Sequence, residues 1–79
     1  MVHIVSVTAA AGGWSVRASS ADNEMLFLSG AKAEGAARRL GEKLAAGGEA
    51  AEIQIYLRDG ALAGRFVCAP VERARIFAG

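Results

Sequence analysis

Disulfides, metal sets and long apolar runs are what this sequence lacks. It has one cysteine, one proline and one histidine, and aromatic residues make up 6% of its 79 positions. A single cysteine excludes an internal disulfide, and so excludes the stapled scaffolds of small secreted domains; a reducing, cytoplasmic setting is expected. Cys68 and His3 alone leave no set of soft ligands at metal-binding spacing, so no metal is expected. No run reaches the roughly 20 apolar residues of a membrane-spanning helix. Residues Met1 to Val7 have neither the basic flank nor the long apolar core of a secretory leader. Gly12-Gly13 has no Gly-x-Gly-x-x-Gly or Lys-Ser/Thr context, so no phosphate-cradling loop and no cofactor are expected. An excess of one charge is missing too. Nine Lys and Arg face eight Asp and Glu, for a net charge of +1, where a dedicated nucleic-acid binder carries a stronger basic surplus.

What is present is a small domain's worth of patterned apolar sequence. A chain this short buries about 60–65% of its unfolded surface, which makes one core with a thin margin. Hydrophobic residues are 53% of the sequence, but many are alanine, so the core is expected to be shallow and its elements closely packed. Val2–Thr8 is short and β-branched and reads as a strand. Trp14–Ala18 alternates and reads as a second, joined to the first through a two-residue Gly12-Gly13 loop. That loop sets Val16 opposite Ala9 and Ala18 opposite Val7, with Val5, Val7, Trp14 and Val16 on one face. Met25–Leu28 reads as a third strand, with a short helical turn as the rival, because periodicity does not decide over four residues. Ser29 is placed to cap a helix over 30–46, whose stripe is Ala33, Ala36, Ala37, Leu40 and Leu44. Glu34 and Arg38 form an i,i+4 pair in the favourable order. Gly41 flanks the stripe, where it can admit a neighbouring strand, and Gly47-Gly48 ends the helix.

The sharpest local signal is the run from Ala51 to Phe66. Asp59-Gly60 favours a type I′ turn, the usual two-residue link between antiparallel strands. That turn pairs Arg58 with Ala61, Leu57 with Leu62, Ile55 with Gly64 and Ile53 with Phe66. Large apolar residues then fall on one face, and Gln54, Tyr56, Arg58 and Arg65 on the other. Pro70 stops the last strand or confines it to an edge. The expected fold is α+β, ordered β-β-β-α-β-β, a mainly antiparallel sheet with one helix packed on one face. Residues 1–69 form the single domain; residues 70–79 are a C-terminal segment, a tail, short strand or docking arm in which Ile76 and Phe77 could reach a second subunit. A right-handed β-α-β connection puts the fourth strand beside the first, and an all-antiparallel order is also open.

Several of these pieces together resemble the small bacterial domain-of-unknown-function family 2188. The matching residues are His3-Ile4-Val5, Gly13-Trp14-Ser15-Val16-Arg17, Phe27, the helical pair Ala33 and Ala37, and then Ile53-Gln54-Ile55, Arg58-Asp59-Gly60 and Arg65-Phe66. The match runs to about Val67. It departs from the family in the glycines of the helix and in Gly30-Ala31-Lys32, which lacks an acidic first turn. The resemblance implies the fold and a bacterial origin, and carries no activity with it.

No acid, base and nucleophile converge in the pattern, so the protein is expected not to be an enzyme and no catalytic residue is assigned. Trp14 reads as a core anchor rather than a stacking platform. Cys68 shares a face with Phe66 and reads as a buried, inert thiol rather than half of a dyad with His3. The sheet face away from the helix stands out, with Ile4, Arg17, Tyr56, Arg58, Arg65 and Val67 as its candidate interaction residues. Tyrosine and arginine are enriched at binding hot spots, and a half-apolar uncovered sheet favours a partner, so a homodimer is expected. The alternative is weak nucleic-acid binding, with arginines on phosphates and Tyr56 on a base. It has only one stacking aromatic to offer. A plain solvated face is the third reading.

Overall fold

The computed structural model describes residues 2–19 and 23–71. Strands β1 (His3–Ala10), β2 (Gly13–Ala18) and β3 (Glu24–Phe27) precede helix α1 (Gly30–Ala46), and β4 (Ala51–Tyr56) and β5 (Leu62–Cys68) follow it. The strands form one sheet in the order β3-β2-β1-β4-β5. All neighbours are antiparallel except β1 and β4, which run parallel. The fold is therefore the expected α+β arrangement, and of the two open strand orders the one with β4 beside β1 is adopted. β3 runs in the same direction as β1, so α1 carries the chain from the end of β3 over β2 and β1 to the start of β4.

Local chemistry sets the helix limits. Ser29 has extended backbone angles, and its hydroxyl accepts from the Lys32 N–H at 3.1 Å, satisfying one orphan donor of the first turn. At the other end Gly48 takes a positive φ of 91°, and Glu49 N–H returns to the Leu44 carbonyl at 3.0 Å. The buried seam of α1 is made of small residues: Ala33, Ala36, Ala37, Gly41 and Ala45. Leu40 and Leu44 flank it, partly buried. Small side chains let the helix axis approach the sheet. At Gly41 the approach is tightest, for a Cβ there would lie 3.0 Å from Cys68 Sγ and 3.1 Å from Ile53 Cδ1. The sheet's contribution to the core is Val5, Val7, Val16, Ala18 and Ile53, with Trp14, Phe27 and Ile55 packed around them.

Both hairpins depart from expectation at their turns. The first loop is Ala11-Gly12, not Gly12-Gly13, and pairs Val7 with Val16 and Val5 with Ala18. Gly12 supplies the positive φ of 77°. Gly13 is needed inside β2, because the Phe27 carbonyl of β3 occupies the place where its Cβ would stand. The slip is two residues, so every side chain keeps its face.

The second turn is not type I′. Among the described residues none other than glycine has a positive φ, so Asp59 is not left-handed, whereas Gly60 has φ 90°. Gly60 N–H donates to the Leu57 carbonyl at 2.9 Å and Leu57 N–H to the Ala61 carbonyl at 2.8 Å. This is a three-residue loop, a type I turn followed by a left-handed glycine. It spares Asp59 the roughly 1–2 kcal/mol of a left-handed backbone, and Asp59 Oδ1 instead accepts from Ala61 N–H at 2.9 Å. The loop pairs Tyr56 with Leu62, in place of Leu57 with Leu62 and Arg58 with Ala61. A bulge then restores Ile55 opposite Gly64 and Ile53 opposite Phe66, as the sequence predicts. Leu57 and Leu62 lose their expected burial and stand half exposed.

After β5 the chain turns back to the helix, where Val71 N–H donates to the Ala45 carbonyl at 2.9 Å. The remainder of the C-terminal segment, with Ile76 and Phe77, lies outside the described residues.

Candidate interaction face

Alternation along each strand sorts side chains between the helix side and the open side. The pairing registers then place the open-side residues in rows. One row reads Glu24, Arg17, Ser6, Gln54 and Arg65 across all five strands. A second includes Leu26, Ser15 and Thr8, and a third includes Ile4, Glu52 and Val67. Ile4, Arg17, Tyr56, Arg65 and Val67 thus share the open side, as expected.

Successive open-side residues of β4 are joined side chain to side chain. Tyr56 Oη donates to Gln54 Oε1 at 2.7 Å, and Gln54 Nε2 donates to Glu52 Oε2 at 2.6 Å. Arg65 Nε, from the neighbouring strand, lies 3.3 Å from the same Glu52 oxygen. The Glu52 side chain is only 17% exposed, so this ion pair is less screened at its acidic end than an ordinary surface pair. On the other half of the face, the Thr8 and Ser15 hydroxyls are 3.2 Å apart, with Ser15 buried. No buried side-chain nitrogen or oxygen among the described residues lacks a partner.

Arg58 departs from the expected constellation. It belongs to the turn, and its guanidinium carbon sits 5.0 Å from the centroid of the Trp14 ring. Trp14 is on the helix side, against Gly30 and the core cluster, which agrees with its reading as a core anchor. Glu52, absent from the expected set, also stands on this face. Its i,i+2 relation to Gln54 and Tyr56 could have placed it there. Leu26 and Glu24 could not be placed without knowing that β3 pairs with β2.

The other candidates stay apart. His3 and Cys68 are both on the helix side, but Ala51 of β4 stands between them in the sheet. His3 Nε2 is engaged by Glu49 Oε1 at 2.9 Å. Cys68 is half-buried rather than buried, with Sγ set over Gly41. Alkylation of the native thiol is therefore expected to run several-fold slower than in denatured protein, measured with a mild thiol reagent; equal rates would show that α1 does not shield it. Among the described residues no group of three or more His, Cys, Asp or Glu could hold a metal ion. None of their helices is long and apolar enough to cross a membrane.

Fold and face together define a small α+β domain: a five-stranded mixed sheet with one helix on one side and a polar ladder on the other. The chain matches no family model, no curated protein and no solved structure.

Proposed function

We propose that this domain is a non-enzymatic association module that pairs with a second copy through the open face of its sheet. The observation that carries the reading is the sheet's one-sided cover. Among the described residues a single helix lies on five strands, and the opposite face keeps Val67 and Leu26 each 69% exposed, with Ile4 and Tyr56 half-buried between them. The ladder from Tyr56 to Arg65 favours association in a second way. Its donors and acceptors are already paired within one protomer, so covering them leaves fewer polar groups unpaired. A reducing cytoplasmic setting, a bacterial origin and membership of family 2188 belong to the same proposal, and rest on the lone cysteine and the motif resemblance.

Weak nucleic-acid binding is the less supported alternative. Arg65 is paired with Glu52 and Arg58 lies against Trp14, so Arg17 is the one open-face arginine without an ionic or ring partner among the described residues. Light scattering across a dilution series is expected to show a dimer. Tyr56→Asp, and independently Val67→Asp at an exposed edge position, are each expected to give monomers with unchanged circular dichroism. A wild-type protein that scatters only as an 8.1 kDa monomer at every concentration overturns the reading. Salt-sensitive binding to mixed oligonucleotides would favour the alternative.

A further inference from the structure

One end of the sheet collects features that the open face does not explain. β1, β3 and β4 finish there, and β2, β5 and α1 begin there. The turns at this end expose large apolar side chains: Leu28 is 90% exposed, and Leu57 and Leu62 are each about half exposed. Isolated exposed leucines are ordinary, but several at one end of a sheet, each beside a recess or turn, mark a place for contact.

Two shallow recesses open among these side chains. The first, of about 200 Å³, is lined by Trp14, Leu26, Phe27, Leu28 and the Ala11-Gly12 turn. The second, of about 230 Å³, is lined by Ala9, Tyr56, Leu57 and Arg58. The end of β1 separates them, Ala10 lining one and Ala9 the other. Arg58 bridges them, since it lines the second recess and packs on Trp14, which lines the first. Each recess is below the roughly 300–1,000 Å³ of an ordinary small-molecule site, and suits single apolar side chains instead.

The charge at this end has one sign left over. Arg58 makes no ion pair among the described residues, and a guanidinium stacked on a ring keeps its in-plane N–H donors free. The first turn of α1 contains Lys32 and no acidic residue. Asp59, next to Arg58 in the turn, keeps its charge while its Oδ1 accepts from the Ala61 N–H, so Arg58 and Lys32 together leave one positive charge in excess. A second copy brought here would oppose Arg58 and Lys32 to their like. A nucleic-acid base would have to displace Arg58 from the ring to stack on Trp14. An acidic, apolar peptide meets neither objection.

We infer that this end of the sheet docks a peptide segment of another protein, with one apolar side chain in each recess and a carboxylate between them on Arg58. The site goes beyond the sheet-face pairing, and shares Leu26 and Tyr56 with that face. The test is an amide and indole ¹H–¹⁵N titration of the full chain with the peptide acetyl-Gly-Leu-Asp-Asp-Leu-Gly-amide. Its lysine counterpart, acetyl-Gly-Leu-Lys-Lys-Leu-Gly-amide, is the control. The acidic peptide is expected to shift the Trp14 indole N–H and the amides of Gly12, Leu28 and Arg58, and the lysine peptide to leave them unmoved. Arg58→Gln is expected to weaken binding about tenfold, the loss of one charge-assisted pair, whereas Arg39→Gln on α1 leaves it unchanged. Absence of shifts at millimolar peptide overturns the proposal, as does equal binding of both peptides. It is also overturned if the same signals move with oligo-dT, or with anionic phosphatidylserine vesicles, but not with peptide. Failure of the sheet-face reading would appear separately, as a wild-type monomer in light scattering.

Discussion

Gly13→Ala is expected to lower stability by about 2–4 kcal/mol, against about 1–2 kcal/mol for Gly12→Ala one residue away. The two glycines adjoin but answer to different physics. Gly12 has φ 77° with open space where a Cβ would go, so alanine there meets only backbone strain. Gly13 has no unusual φ, but a Cβ would run into the Phe27 carbonyl oxygen. That oxygen belongs to the backbone of β3, which is held in register by Trp14 opposite Phe27 and Val16 opposite Met25. It cannot swing aside as a side chain can, so β3 must move away from β2 or β2 must bend. A domain of this length has roughly 4–12 kcal/mol of stability in total, so the loss is a large share of it. Urea unfolding followed by Trp14 fluorescence and helix circular dichroism measures both variants. Equal midpoints for the two would mean that the β2–β3 approach imposes no constraint.

Ile53→Ala is expected to cost about 3–4 kcal/mol, and in a domain this small to leave a substantial unfolded population at 37 °C. Ile53 is among the largest side chains with essentially no exposure. It sits on β4 between the parallel β1 and the antiparallel β5, opposite Val5 and Phe66. Its Cδ1 and Cγ1 lie 3.1 and 3.3 Å from where a Cβ on Gly41 would stand, so truncation opens a cavity beneath the helix that close packing does not refill. The same contact predicts a coupling. Gly41→Ala alone gains about 1 kcal/mol of helix propensity and loses a comparable amount by crowding Ile53 and Cys68. In an Ile53→Val background the Cδ1 is gone while the Cys68 contact remains, and Gly41→Ala is expected to be more favourable than in the wild type. A double-mutant cycle should give an interaction of about 0.5–1.5 kcal/mol; strict additivity would show that Gly41 and Ile53 do not share space.

Much of the architecture was legible because local signals agree with one another. Ser29, the alanine stripe and Gly47-Gly48 mark α1 residue for residue, since capping and periodicity act within a few positions of the chain. The faces of β1, β2 and β4 followed from alternation, which survives a register slip of two residues. The turns were misread where one glycine had two possible uses. Gly12-Gly13 looks like a loop until β3 is laid beside β2. Asp59-Gly60 looks like a type I′ turn until Asp59 is found bonding to Ala61 and a bulge is found to restore the register.

The candidate face was legible to the same extent. Alternation placed Ile4, Arg17, Tyr56, Arg65 and Val67, because strand periodicity alone decides which side a residue takes. It misplaced Arg58, which the turn geometry turns toward Trp14. It also left Glu52 off the face, so the neutralising partner of Arg65 went unseen. Its effect is to neutralise one of the three arginines on which a nucleic-acid reading depends.

By itself, then, the order of residues determined the number and kind of elements, the limits of the helix and the two sides of the sheet. These depend on interactions between near neighbours in the chain. Only the tertiary structure decided the strand order, the need for Gly13 and Gly41 to lack side chains, the ladder from Tyr56 to Arg65 and the meeting of Arg58 with Trp14. Each of these joins residues far apart in sequence. Their distance is set by how closely α1 and five strands can pack, which no local pattern encodes.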